Sequence, residues 1–271
     1  MSRRGRHKLL FPLLPATVVL VLASLMGCGG GGGDGGGEGD ASNRGDQPSS
    51  APPRQASEDA GGPVLPADNV WVATARPPIV PVFAEADDAG SPAQVLDNPT
   101  PVGAPLTFLV DGTDVSGDLI PVLLPTPPNS SKGWVRAHDV TVEADPYRIR
   151  VELGAHRLTV SNAGQVTVDT PVAVGDQGME TPTGTYFLKE LLQPPDPGGA
   201  YGPYAYGISG YTTNPDVAAQ FGGDGVIGIH GTNQPELLGT DVSHGCIRLA
   251  NDVITEMVGY LPLGTPVEIV P

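Results

Sequence analysis

From Val70 onward the chain alternates apolar and polar residues in short runs, each closed by Gly, Pro, Asn or Asp. Such runs are too short for long helices and read as strands between turns. Val70-Trp71-Val72-Ala73, Ile79 to Phe83, Thr107 to Val110, Leu119 to Leu124 and Gly133-Trp134-Val135-Arg136 are the first five. Five short strands in about 75 residues suit a small barrel, with Trp71 and Trp134 expected in its core. A second pattern begins at Tyr147. Arg148 to Leu153 alternates, Arg157 to Val160 follows, and the chain turns at Asn162-Ala163-Gly164 into Val166 to Val168. This predicts a hairpin meander. Thr181-Pro182-Thr183-Gly184 predicts a turn and then a strand through Leu188. Residues 193–213, rich in Pro, Gly and Tyr, predict a long functional or mobile loop. Gly225 to His230 reads as a short buried strand. Asn251 is expected to cap a helix from Asp252 to about Tyr260, with Val253, Ile254, Met257 and Val258 as its apolar stripe. Thr265 to Val270 closes the chain as a strand.

Composition supports this mainly β reading. The 271 residues include 38 Gly and 30 Pro, and only 16% are charged. The formal net charge is −16, with a pI near 4.4. An acidic surface repels phosphates, so no nucleic-acid partner is expected.

The N-terminus reads as an export signal. Basic residues from Arg3 to Lys8 precede an apolar run from Leu9 to Leu25, and Leu25-Met26-Gly27-Cys28 resembles a bacterial lipobox. On that resemblance residues 1–27 are a signal peptide, Cys28 carries the lipid, and the mature charge is near −20. An uncleaved membrane anchor is the alternative; Pro12 and Pro15 count against it as a helix. Arg3-Arg4 lacks the apolar residues expected after a twin-arginine signal. Residues 28–63, with Gly29 to Gly33 at their start, have nothing apolar to bury and predict a flexible linker. By random-coil scaling its span is roughly 30–35 Å. The expected location is therefore extracytoplasmic, with the chain lipid-anchored to the cell membrane and facing the cell wall.

That compartment makes the second cysteine informative. If Cys28 is lipidated, Cys246 has no disulfide partner, and a lone thiol in an oxidising space needs a reason. It sits in Ser243-His244-Gly245-Cys246-Ile247-Arg248, whose His244 comes fourteen residues after His230 of Gly228-Ile229-His230-Gly231. Three readings fit. His230, His244 and Cys246 could ligate zinc, although the spacing is uncommon and no fourth ligand is evident. All three could be satisfied core residues. Or an imidazole activates the thiol for acyl transfer, with backbone amides at Gly245 and Cys246 facing the oxyanion.

The His230 segment, its loop and Ser243-His244-Gly245-Cys246, with the Thr181–Gly184 turn and the Tyr147–Leu153 strand, resemble the L,D-transpeptidase catalytic domain of the YkuD type. The likeness covers roughly 145–271. Ile120 to Val140 is similar to the closing strands of a bacterial SH3-like domain, here bounded at 64–143. The resemblance implies a small SH3-like barrel followed by a β-sandwich-type catalytic domain with a short C-terminal helix. It implies Cys246 as nucleophile, His230 as base, the Gly231 carbonyl orienting the imidazole, and His244 and Ser243 shaping the site. Arg248 is a candidate for a substrate carboxylate, and Tyr204 and Tyr206 for packing against it. The implied substrate is a peptidoglycan stem tetrapeptide, cross-linked 3→3 after loss of D-Ala, with no metal or organic cofactor. Carbapenem β-lactams are implied as covalent inhibitors. A wall-binding lipoprotein with an inactive second domain is the alternative from another class.

Overall fold

The computed structural model describes residues 69–87, 89–220 and 225–271. The basic N-terminal run, the apolar run, Cys28 and the Gly-rich segment lie outside the described residues. The first half of the described chain builds β1 (Val70–Ala75), β2 (Ile79–Val82), β3 (Gln94–Asp97), β4 (Thr107–Val110), β5 (Leu119–Leu123), β6 (Lys132–Arg136) and β7 (Val140–Asp145). Five of these form an antiparallel sheet in the order β6-β5-β4-β1-β7, and β2 and β3 pair as a separate hairpin. The hairpin is fastened to the sheet where Phe83 and Trp134 exchange backbone bonds of 2.9 and 2.8 Å. Gly133 permits that approach, since a Cβ there would lie 2.6 Å from Val82 Cγ1. Trp71 joins the buried core and donates its indole N–H to the Thr113 carbonyl at 2.9 Å. Trp134 is only half-buried.

The second half comprises β8 (Tyr147–Glu152), β9 (Arg157–Asn162), β10 (Gln165–Pro171), β11 (Val174–Gly175), β12 (Gly184–Leu192), β13 (Ala205–Tyr211), α1 (Pro215–Gln220), β14 (Val226–His230), β15 (Asp241–Ser243), β16 (Ile247–Arg248), α2 (Asn251–Val258) and β17 (Pro266–Val270). Eight strands make one sheet in the order β10-β9-β8-β17-β12-β13-β14-β16. Two of its pairings are parallel, β17 with β8 and β14 with β16. β11 and β15 form a small parallel pair of their own. Alternation along β8 and β9 buries Ile149, Val151, Leu158 and Val160 in a core shared with β12, β13, β14 and α2. The architecture is mainly β with one short C-terminal helix, as the apolar pattern predicts.

Two expectations are corrected, and two elements were not foreseen. The long loop expected over 193–213 contains β13, every residue of which is buried. Its glycines hid it, because glycine weakens strand propensity and marks close approach instead. A Cβ on Gly210 would lie 2.9 Å from the Tyr186 ring, and one on Gly207 2.4 Å from the Glu190 carboxylate. α1 and the two-stranded hairpin partner β3 were not read from the pattern at all. Asn251 is not a helix cap: Ala250 holds that position without a side-chain bond, and Asn251 lies in the first turn of α2.

The two halves are tied by polar groups around a small apolar seam of Leu109, Leu123, Phe187 and Val70. The Asn129 amide donates to the Tyr211 carbonyl at 2.9 Å and accepts from its N–H at 2.8 Å, completing the end of β13 as another strand would. Thr265 donates its hydroxyl to the buried Asp145 carboxylate at 2.7 Å. Burial raises the Asp145 pKa, and the Thr265 bond works against that rise.

Candidate active site

The parallel pairing of β14 with β16 sets Ile229 opposite Ile247 and His230 opposite Arg248. Cys246 therefore emerges beside Gly228, whose N–H donates to Sγ at 3.3 Å. Side chains two apart on a strand share a face, so the imidazole of His230 projects on the Gly228 side. A Cβ placed on Gly228 would sit 3.7 Å from Sγ and 3.6 Å from His230 Cδ2. The base and the thiol predicted from the sequence are thus brought together on one wall of a single groove, which Ser243, His244 and Arg248 also line.

His230 is buried, and its Nδ1 lies 2.6 Å from the Gly231 carbonyl oxygen. With Nδ1–H donating there, Nε2 is left as the acceptor of a proton. Gly231 is itself clamped. Its N–H donates to the Tyr204 carbonyl at 3.2 Å. Asn251 Oδ1 accepts the next amide, Thr232 N–H, at 2.8 Å. A Cβ on Gly231 would lie 2.2 Å from Asn251 Oδ1, and one on Gly202 would lie 2.6 Å from Gly231 Cα. Gly202 also has φ +64°, a backbone state that suits glycine. Asn251 and Gly202 are therefore working parts that sequence reasoning missed. Asn251 was visible only as a helix-start residue, and its true partner is nineteen positions away.

The Ser-His-Gly-Cys turn is held from inside. Ser243 is buried; its hydroxyl donates to the Cys246 carbonyl at 2.5 Å and accepts the Gly245 N–H at 3.1 Å. The Gly245 amide, expected to face an oxyanion, thus has Ser243 as its partner. The amide that points at the reactive sulfur is that of Gly228. Thr181, buried and also missed as a site residue, donates to the Gly245 carbonyl at 2.9 Å and accepts the Gly175 N–H at 2.9 Å. The Thr-Pro-Thr-Gly turn is thereby bolted beneath Cys246.

The tyrosines exchange roles. Tyr206 is 1% exposed and donates its hydroxyl to the Leu261 carbonyl at 3.1 Å, so it has no ring face to give a peptide. Tyr204 is half-buried, packs on the core and serves the site through its backbone carbonyl. Tyr201 is the one that reaches the chemistry: its half-exposed ring is tilted over His230, with centroids 4.7 Å apart.

Burial pushes the His230 pKa down to about 4; the Gly231 bond opposes this and the Arg248 charge adds to it. Burial raises the Cys246 thiol, against the Gly228 amide and the Arg248 charge, which both lower it. Burial, the largest cause at both groups, thus favours the neutral imidazole and the neutral thiol. Arg248 lines the groove with its Nε buried and unpartnered, and Nη1 only 3.5 Å from Gln234 Oε1. Among the described residues no group of three or more His, Cys, Asp or Glu side chains is placed to hold a metal ion.

A family model for the L,D-transpeptidase catalytic domain, YkuD, matches residues 146–269. YqjB of Bacillus subtilis (strain 168), provisionally named an L,D-transpeptidase, is 32% identical over 134 residues, covering 45% of this chain and 70% of that protein. The chain belongs to the L,D-transpeptidase catalytic domain family. YkuD of the same organism, also provisionally named, is 36% identical over 124 residues, or 46% of this chain. The match spans just under two thirds of YkuD, 66% of its length. An L,D-transpeptidase structure from Mycobacterium smegmatis aligns at TM-score 0.39 and 19% identity, over 79% of this chain and 96% of that one.

Two outcomes are expected of this transpeptidase-family site. Asn251→Ala releases the Thr232 amide and loosens Gly231, so the Nδ1 bond that favours the imidazolium weakens. Acylation of Cys246 should fall roughly tenfold and its acid limb should move to lower pH, with Asn251→Asp, which retains the acceptor oxygen, recovering most of the rate. Stopped-flow acylation across pH reads both. Arg248→Gln removes a cation that lowers both groups. Its His230 pKa should rise somewhat above about 4, burial remaining the main cause that holds it down, and iodoacetamide alkylation of Cys246 should need higher pH than in wild type. Unchanged profiles would show that the guanidinium does not act on the pair.

Proposed function

We propose that the protein is a peptidoglycan L,D-transpeptidase working by a Cys246 thioester. The observation that carries this reading is the joint seating of Cys246 Sγ and the Gly231-fixed His230 imidazole in the wall of a groove of about 1040 Å³. In the first half-reaction His230 Nε2 takes the thiol proton as Sγ attacks the carbonyl of stem residue three. The S–C bond forms, the amide C–N bond breaks, and D-Ala leaves with the proton returned by His230. In the second, the side-chain amine of another stem attacks the thioester, giving the 3→3 amide and restoring the thiol. Water in place of the amine gives a carboxypeptidase side reaction. None of these steps calls for a metal or organic cofactor. Arg248 is placed to pair with the carboxylate of the leaving D-Ala. Carbapenem β-lactams, being strained acylating agents, are expected to acylate the same sulfur.

The lipobox-like Leu25–Cys28, the Gly-rich 28–63 and the Trp-bearing first β unit support the rest of the proposal. The protein is lipid-anchored outside the cytoplasm at Cys28, with an SH3-like module over 64–143 ahead of the catalytic domain over 145–271.

Mass spectrometry of purified full-length protein with disaccharide-tetrapeptide tests the chemistry. Loss of D-Ala with a cross-linked dimer is expected, and neither with Cys246→Ala. A Cys246→Ala protein that retains full activity would remove the nucleophile from this mechanism. Cys28→Ala should shift the protein from the membrane to the soluble fraction on cell fractionation; continued anchoring would point to an uncleaved N-terminal span instead.

A further inference from the structure

Seven large apolar side chains are exposed among the described residues, and four of them, Val95, Val102, Leu192 and Tyr201, line one groove. Cys246 lines the same groove. The lining also draws on two segments distant in sequence: residues within 95–102 of the first β unit, and residues 192–195 at the end of β12 and just after it. A monomer's exposed apolar residues are ordinarily scattered, and their concentration in a concavity marks a binding surface. The volume, about 1040 Å³, reaches the top of the range of roughly 300–1,000 Å³ that single small ligands occupy.

The lining indicates the ligand. Val95, Val102, Leu192, Pro194 and Pro195 give aliphatic walls stiffened by proline. Lys189 supplies a fixed cation, held 3.3 Å from the Tyr211 hydroxyl and 5.0 Å from its ring centre. Asp97 and Glu190 supply negative charge on the same lining. A peptide carrying both carboxylates and a free amine matches walls of both signs.

We propose that residues 95–102 of the first β unit and residues 192–195 form a second peptide seat, which holds the acyl-acceptor stem while the donor is on Cys246. This rests on the acyl-transfer reading above. From that seat the acceptor's amine nitrogen attacks the thioester carbonyl. The amide C–N bond forms, the C–S bond breaks, and the amine proton passes through His230 to the departing sulfur. The first β unit thereby takes part in choosing the acceptor and in favouring amine over water.

The test uses the full-length chain with Val95→Asp and Val102→Asp, both at exposed positions (54% and 51%). Acyl-enzyme formation from tetrapeptide and transfer to an amine acceptor are followed in the same sample by mass spectrometry. The transfer-to-acylation ratio should fall about tenfold in either variant, with hydrolysis rising. Val166→Asp, an exposed apolar position outside the groove, should match wild type. An equal fall in acylation would give the seat to the donor and overturn the proposal, as would an unchanged ratio in both variants. If wild type forms no acyl-enzyme, the acyl-transfer reading fails by itself. The seat is then judged by calorimetric titration of an amine-bearing tetrapeptide into Cys246→Ser. Binding that Val95→Asp weakens supports it, and binding that is absent or unaffected overturns it.

Discussion

The parallel pairing of Val226–His230 with Ile247–Arg248 is the constraint on which the site depends. Only two residue pairs define it, but it is braced on both sides. Leu249 N–H donates to the His230 carbonyl at 2.8 Å, while Arg248 and Ala173 exchange bonds of 2.8 and 3.1 Å. Side chains alternate along a strand, so slipping this register by one residue would turn His230 away from the groove. It would also part Sγ from the Gly228 amide. The Ser243 hydroxyl and the Thr181 bolt serve the same end, fixing the turn that feeds β16.

The electrostatics of the pair oppose a ready-made ion pair. Burial favours the neutral form of both groups, and Arg248 favours thiolate while disfavouring imidazolium. A neutral thiol is a weak nucleophile. It is also less prone to oxidation than a thiolate would be. In the proposed acyl transfer, proton transfer is then coupled to substrate attack instead of preceding it. The Gly231 bond becomes more valuable as the imidazole gains charge, which is how an orienting acceptor assists a base. Asn251 therefore acts through Gly231, and its contribution grows along the reaction coordinate.

Much of this was legible in the sequence because the chemistry is local there. Gly245 and Cys246 lie within one turn, His230 ends a strand with clear apolar flanks, and the meander of β8 to β10 alternates plainly. What was hidden depends on residues meeting from afar. Asn251 reads as a cap because Asn before an apolar stripe favours caps, yet its side-chain oxygen goes to Thr232. The Tyr-rich stretch looks like a loop because Gly207 and Gly210 depress its strand character. Those glycines are there to admit Glu190 and Tyr186. The swap of Tyr206 for Tyr201 follows: once Ala205–Tyr211 is a central strand, Tyr206 must face a core. Only the tyrosine before it in the turn, next to the left-handed Gly202, remains free to cover His230.

The same logic bears on why the first β unit is fastened to the second with so few but such directional contacts. An apolar seam of three buried residues would allow sliding, since dispersion has little directional preference. The Asn129 side chain, bonded to both backbone groups of Tyr211, does not. Nor does Thr265 on the Asp145 carboxylate, a buried polar pair that either partner would lose dearly by parting. Tyr211 lies at the end of β13 and carries Lys189 over its ring, so the bond from Asn129 also fixes the cation in the groove wall. A seam of that kind costs desolvation but holds one orientation. Val95 and Val102 of the first β unit and Cys246 of the second line one groove, so its wall is assembled from two separate cores.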